Sequence, residues 1–159
     1  MTILNAMLAH CHSTSIQQDA LAALKTLATD NGNKSILASH ECVRAVTLSL
    51  WINFRRPGVI LSALSALNNM AVDSLAKSVA PVPREILDIV ASTMQRFPKD
   101  ESIQKSACFY LKNCSYLPAN VLLMKESAGA LVAVLLQASQ CFPKSCQLLA
   151  HSVIIKIQG

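Results

Sequence analysis

The sequence predicts an all-α protein built from a repeated helical unit, and three observations lead to this fold class. Apolar residues make up 52% of the 159 residues and charged residues 14%, which is too apolar for a disordered chain and sufficient for a core. No segment shows the alternating apolar pattern of a half-buried strand. One helical pattern recurs along the chain at steps of 43, 44 and 43 residues, counted from Ile16, Val59, Ile103 and Cys146.

The repeated pattern is an apolar helix face with alanine at one fixed place. Four residues after the first apolar residue, every copy has an alanine, namely Ala20, Ala63, Ala107 and Ala150. Eight and eleven residues on, the copies have Leu24, Leu67, Leu111 and Ile154, and then Leu27, Met70, Cys114 and Ile157. These offsets lie on one face of an α-helix, so we expect the whole set to be buried where repeats stack. The small alanine side chain would let a neighbouring helix approach closely.

The individual helices follow from this periodicity and from the prolines. We predict long helices near 2–12, 15–29, 40–53, 57–72, 82–96, 100–115, 127–140 and 143–157, and short ones near 33–38, 74–79 and 118–125. Pro57, Pro98 and Pro143 lie just before a repeated helix, where the missing backbone N–H costs nothing. Pro81 and Pro83 should end the short helix of the middle copy.

The length fits a single domain over residues 1–159. Within it we expect a partial repeat over 1–30 and complete repeats over 33–71, 73–115 and 118–157. Solenoids need polar caps at their ends, and neither terminal helix is markedly polar on both faces. Three explanations stay open: a longer array, a subunit packed into an assembly, or self-association through the apolar ends.

Three segments carry a resemblance to armadillo repeats, with HEAT repeats as a near neighbour. The run Glu126-Ser-Ala-Gly-Ala-Leu-Val-Ala-Val-Leu-Leu is similar to the family's second helix. The runs Ala63-Leu-Ser-Ala-Leu-Asn-Asn-Met-Ala and Ala107-Cys-Phe-Tyr-Leu-Lys-Asn-Cys-Ser are similar to its third helix. The resemblance covers nearly the whole chain. It implies a right-handed α-solenoid of three-helix repeats, about three of them complete and preceded by a partial one.

The resemblance also implies a peptide-binding groove. In peptide-binding armadillo proteins the third helices line a concave surface, and an asparagine two residues after the signature leucine clamps a peptide group. We expect that asparagine ladder at Asn69 and Asn113, with Phe109 beside it, and the other groove positions at Thr26, Lys156 and Ser65. The chain has no tryptophan at the aromatic positions, which argues against recognition of nuclear-import signals.

The net charge suggests what such a groove would bind. The formal charge is +5 and the pI is about 9.0. A basic lining of Lys25, Lys105 and Lys112 would steer an acidic peptide, and scattered solvated lysines explain the same residues equally well. A nucleic-acid-binding module with a basic groove is the alternative function, disfavoured because aromatic residues make up only 4%.

Little in the sequence points to catalysis or to a bound cofactor. The four glycines are far apart, so neither a P-loop nor a dinucleotide-binding turn can form. Consecutive residues on a helix point about 100° apart, so His10, Cys11 and His12 cannot share a metal ion. Two acidic pairs, Glu85 with Asp88 and Asp100 with Glu101, fall at predicted helix starts, where the helix dipole explains them. We therefore expect no enzyme, no metal and no cofactor.

The remaining expectations concern location and function. We expect the six cysteines to be reduced core residues of a cytoplasmic protein, with the nucleus as the alternative. The longest uncharged run, 127–143, is short for a bilayer span. The sequence thus favours a non-enzymatic protein–protein interaction scaffold that uses the groove of third helices or its apolar ends.

Overall fold

The computed structural model describes residues 2–37, 39–74 and 82–159, and every regular element in these ranges is an α-helix. The predicted all-α class is therefore confirmed. The helices are α1 (Ile3–Ala9), α2 (Thr14–Leu27), α3 (Asn31–Leu37), α4 (His40–Ile52), α5 (Pro57–Ser74), α6 (Arg84–Arg96), α7 (Glu101–Cys114), α8 (Pro118–Glu126), α9 (Ala128–Cys141) and α10 (Pro143–Gln158). The short helix predicted near 74–79 lies, beyond Ser74, outside the described residues.

Side-chain caps and prolines set several of these helix starts. The Asp100 carboxylate accepts the backbone N–H of Ile103 at 3.0 Å, which satisfies one of the free donors at the start of α7. Helices α8 and α10 begin with proline as their first residue. Because these signals are local in sequence, most predicted boundaries fall close to the observed ones.

The helices group into two units, which are described separately. Unit 1 is Met1–Ser78 and contains α1–α5, and unit 2 is Val79–Gly159 and contains α6–α10. In unit 1, α2 and α4 pack against α5, and α1 packs against α2 and α4. In unit 2, α7 and α9 pack against α10, and α6 packs against α7 and α9. Each unit is thus the same five-helix arrangement.

The correspondence between the units extends to single hydrogen bonds. Gln17 in α2 and Gln104 in α7 are 87 residues apart, and both amides are buried. Gln17 Nε2 donates to the carbonyls of Met7 at 2.8 Å and His10 at 3.1 Å. Gln104 Nε2 donates to the carbonyls of Met94 at 2.8 Å and Phe97 at 2.9 Å, again at the end of the preceding helix. The Met7 and Met94 carbonyls lie at helix ends and gain their partner from these amides, whereas the His10 and Phe97 carbonyls also accept the backbone N–H groups of Ser13 and Asp100.

A second pair of amides ties the next helix to the end of the repeated one. Asn33 Nδ2 donates to the Leu27 carbonyl at 3.4 Å, and Asn120 Nδ2 donates to the Cys114 carbonyl at 3.0 Å. Both pairs are six residues apart and are related by the same step of 87 residues. Both units therefore have the same side-chain hydrogen bonds to carbonyls at their helix ends, and we call these bonds the helix-end locks.

The predicted apolar face is buried at fourteen of its sixteen positions. All four alanines belong to the buried set, with Ala63, Ala107 and Ala150 fully covered. Ile16 is half-buried, and the prediction is wrong for Leu27, which is 40% exposed. Leu27 is the last residue of α2, and the turn that follows buries Ala28 in its place.

Within the described residues, no single helix combines the length and apolar character needed to cross a bilayer. The pair α8 and α9 taken together reaches that length and composition, and the two helices meet at a bend of 97°.

Candidate functional site

The predicted groove residues of unit 1 are committed mainly to bonds within the unit. Asn69 Nδ2 donates to the Lys25 carbonyl at 3.1 Å, so this amide ties α5 to the last turn of α2. The Thr26 hydroxyl donates to the Ala22 carbonyl of its own helix at 2.9 Å. Ser65 is half-buried, and the Lys25 side chain is exposed. The side chain at the signature asparagine position of α5 thus stabilises a helix end.

Asn113, the second residue of the predicted ladder, lies in unit 2 on α7. Its side chain is only 5% exposed, so it faces the interior of the fold. An incoming peptide group could reach this amide only if its surroundings changed. The ladder of two asparagines stays a prediction, because Asn69 and Asn113 belong to different units.

The structure instead brings basic and aromatic residues together on one face of α7, where all but the half-buried Lys112 are exposed. We call Lys105, Phe109, Lys112 and Tyr116 the α7 stripe. Their spacings of four, three and four residues keep them on one face of the helix and its C-terminal turn. Phe109 is 39% exposed and Tyr116 is 53% exposed, so two large aromatic side chains lie at this surface between lysines.

Lys156 of α10 adds a third cation to the α7 stripe. Its Nζ lies 4.2 Å from the centroid of the Tyr116 ring, a cation–π contact. The same ammonium group donates to the Ser115 carbonyl at 3.0 Å and to the Ser115 hydroxyl at 3.2 Å. These three contacts hold the charge in place, so Lys156 is positioned before any ligand arrives.

Tyr116 is the residue of this site that the sequence analysis missed. It lies two residues beyond the end of α7, outside the repeated helical pattern. The available signal is its spacing, since it follows Phe109 by seven residues and Lys112 by four. That periodicity would have extended the exposed face by one turn.

The corresponding face of unit 1 lies on α2, which is also a helix but carries different side chains. The equivalents of Lys105, Phe109, Lys112 and Tyr116, 87 residues earlier, are Gln18, Ala22, Lys25 and Thr29. Only the lysine at the third position is shared, and no aromatic side chain is present. The α7 stripe is therefore a property of unit 2, and α2 offers a matched comparison.

In the described part of the chain, most cysteines are buried and no cluster of metal-binding side chains is found. No three His, Cys, Asp or Glu side chains come together there in a group that could hold a metal ion. Burial raises the pKa of Cys42 to about 11 and the pKa of Cys114 to about 12, which keeps both thiols protonated. Cys108 and Cys146 are also buried, and Cys11 is half-buried. The predicted core position is wrong for Cys141, which ends α9 and is exposed.

Comparisons with family models, with curated proteins and with solved structures give no match to this chain. The armadillo resemblance therefore stays a prediction. Function has to be argued from the chemistry of the exposed side chains.

Proposed function

We propose that the protein is a non-enzymatic interaction scaffold that binds an acidic, partly apolar segment of a protein partner at the α7 stripe. The observation that carries this proposal is the alternation of Lys105, Phe109, Lys112 and Tyr116 on one helix face, where only Lys112 is half-buried, with Lys156 fixed beside it. Exposed aromatic side chains supply apolar contact area, and the lysines favour acidic partners.

The spacing of the lysines limits the pattern that the partner should have. Lys105 and Lys112 are seven residues apart on α7, which is about 10.5 Å along the helix axis. An extended chain covers this distance in about three residues. Because every second side chain of an extended chain faces the same way, we expect two acidic side chains four positions apart, with an apolar side chain midway between them that contacts Phe109.

The armadillo resemblance supports the same location on α7, but the side chains expected to make the contacts differ from the asparagine ladder of that family. Helix α7 corresponds to a third helix, the element that lines the groove in that family. The burial of Asn113 and the internal bond of Asn69 move the expected contacts from amides to lysine and aromatic side chains.

A single-stranded nucleic acid is the second candidate ligand, because it binds surfaces where exposed aromatic rings lie among lysines. Phe109 has that arrangement in the α7 stripe. The ring of Tyr116, however, is covered on one face by Lys156, which would have to move before a base could stack there. The acidic peptide needs no such change and is the favoured ligand.

The test is a titration of the full chain with two labelled probes, an acidic peptide that contains the pattern Glu-x-Leu-x-Glu and a single-stranded oligouridine. We expect Lys112→Glu to weaken peptide binding by about five- to tenfold, since the substitution replaces attraction by repulsion at this half-buried lysine of the α7 stripe. Phe109→Ala should weaken it through lost apolar contact. The matched control is Lys25→Glu, which makes the same change at the equivalent position of α2.

Two results would contradict the proposal. Equal losses from Lys25→Glu and Lys112→Glu would show a general charge effect with no defined site. Tighter binding of oligouridine than of the peptide, with an affinity that falls steeply with salt, would assign the stripe to nucleic acid.

A further inference from the structure

A second exposed face, on α4 of unit 1, carries residues that neither the core nor the α7 stripe uses. Glu41, Arg44, Leu48 and Trp51 are all exposed, at spacings of three, four and three residues. Trp51 is 67% exposed and Leu48 is 38% exposed. The opposite side of the helix is buried and includes Cys42, Ala45, Val46 and Leu50. We call the exposed set, with the two residues described next, the α4 face.

The turn after α4 adds two exposed residues to the α4 face. Phe54 is 41% exposed there, and the guanidinium of Arg55 lies 5.2 Å from the centroid of the Phe54 ring. The order along the α4 face is therefore Glu41 and Arg44 at the N-terminal end, apolar side chains in the middle and Arg55 at the C-terminal end. Leu48 lies seven residues from both Glu41 and Arg55, so this order is centred on Leu48.

Such an order is complementary to itself when two copies run antiparallel. Glu41 of each copy then faces Arg55 of the other, and the two Leu48 side chains meet at the centre. Arg44 of each copy approaches Trp51 of the other, where a cation–π contact becomes available. The two helix dipoles also oppose each other favourably. A two-fold interface requires this kind of self-complementary patch.

We propose that the α4 face is the contact surface of a homodimer, in which two copies of α4 pack antiparallel across a two-fold axis. The proposal concerns unit 1 alone and does not depend on the ligand of the α7 stripe.

The charge order favours a second copy over the other partners of an exposed aromatic face. An anionic membrane would attract Arg44 and Arg55 and repel Glu41, which lies one helical turn from Arg44. An acidic peptide would likewise leave Glu41 opposite a like charge. A second copy satisfies both ends of the face at once.

The size of the α4 face sets the strength of the dimer. Helix α4 has 13 residues, so it is about 20 Å long. One helix of this length buries much less than the roughly 800 Å² per partner of a standard stable interface. We therefore expect a reversible dimer that forms at high micromolar concentrations and dissociates on dilution.

The experiment measures the association state and the environment of Trp51 in the full chain. Sedimentation velocity between about 5 and 500 μM should show a concentration-dependent shift from monomer to dimer. Trp51 is the only tryptophan in the sequence, so its emission should shift to the blue over the same concentration range. Glu41→Arg and Arg55→Glu should each raise the dissociation constant at least about tenfold. The double variant should return it to within about threefold of the original value.

Glu85→Arg is the matched control, because Glu85 is also an exposed acid in the first turn of a helix and lies outside the α4 face. It should leave the association unchanged, and circular dichroism of every variant reports on folding. Leu48→Lys provides a second route to loss of the dimer.

A monomer at every concentration would overturn the proposal, as would single variants that associate like the original chain or a double variant without rescue. Vesicles of phosphatidylserine and phosphatidylcholine that shift Trp51 emission while the protein stays monomeric would assign the α4 face to a membrane and also overturn it.

Discussion

Gln17 and Gln104 each place a primary amide in a buried position, where every polar atom needs a partner. Each amide nitrogen donates hydrogen bonds to two carbonyls at the end of the preceding helix. Helix α1 ends at Ala9, earlier than predicted, and the Met7 carbonyl, which a longer helix would use, accepts from Gln17. A single side chain can therefore take part in deciding where a helix stops.

We expect Gln104→Leu to lower the free energy of unfolding by about 1–3 kcal/mol, because the Met94 carbonyl would stay buried without this donor and the Phe97 carbonyl would lose one of its two donors. Urea denaturation followed by circular dichroism measures the change. The control is Gln147→Leu, at the equivalent but exposed position of α10, which should stay within about 0.5 kcal/mol. Equal losses in both variants would mean that the buried bonds are not the cause.

The buried thiols predict a loss of stability in alkaline solution. The pKa of Cys42 is raised from 9.0 to about 11 by burial, so above pH 9 the unfolded thiol ionises while the folded one stays neutral. The free energy of unfolding should therefore be independent of this group below pH 9 and fall between pH 9 and 11 by about 1.4 kcal/mol per pH unit. Urea titrations of the original chain and of Cys42→Ala across this range test the prediction. The variant should lose stability less steeply, and identical slopes would contradict the assignment.

At the scale of the element, the four repeated alanines are buried on α2, α5, α7 and α10. Ala63 on α5 is fully buried, and α5 packs against α2 within unit 1. We expect Ala63→Leu to destabilise unit 1 by about 1–3 kcal/mol, because the larger side chain would overpack this contact. Ala133→Leu, at an exposed position of α9, is the control for the change in side-chain size. Thermal denaturation compares them, and a neutral Ala63→Leu would argue against close packing at this alanine.

The elements were the most predictable part of this protein. Helix bounds depend on apolar periodicity and on prolines, which are local signals, so α5 and α10 begin at or next to the predicted residues. The hydrogen bond from Asn69 to the Lys25 carbonyl joins residues 44 positions apart, and no local sequence pattern near either residue predicts it. The same is true of the burial of Asn113. The helix face was therefore predictable, whereas the partner of each polar side chain on it depended on tertiary packing.

At the scale of the whole molecule, each unit contains its own core and its own helix-end locks. We expect residues 79–159, expressed alone, to be helical and to unfold cooperatively in urea, because α6–α10 satisfy one another within the unit. Circular dichroism and the denaturant midpoint test this, and the fragment should also bind the acidic peptide. Residues 1–78, which lack the α7 stripe, are the control for binding. A fragment 79–159 without a cooperative transition would show that unit 2 needs the rest of the chain to fold.

Because the two units share one helix arrangement, the binding surface proposed for α7 could also be built on α2. The Gln17 and Gln104 amides that tie α2 and α7 to the preceding helices are buried. The outer faces of α2 and α7 do not include these amides, so residues there can be replaced without breaking the buried hydrogen bonds. Lys25 already occupies its place on α2, and Gln18→Lys, Ala22→Phe and Thr29→Tyr would supply the missing second lysine and the two aromatic rings. Calorimetric titration with the acidic peptide should then give a stoichiometry of two sites per chain in place of one. If it remains at one, Lys156, whose equivalent in unit 1 is Asn69, contributes as much to recognition as the α7 stripe.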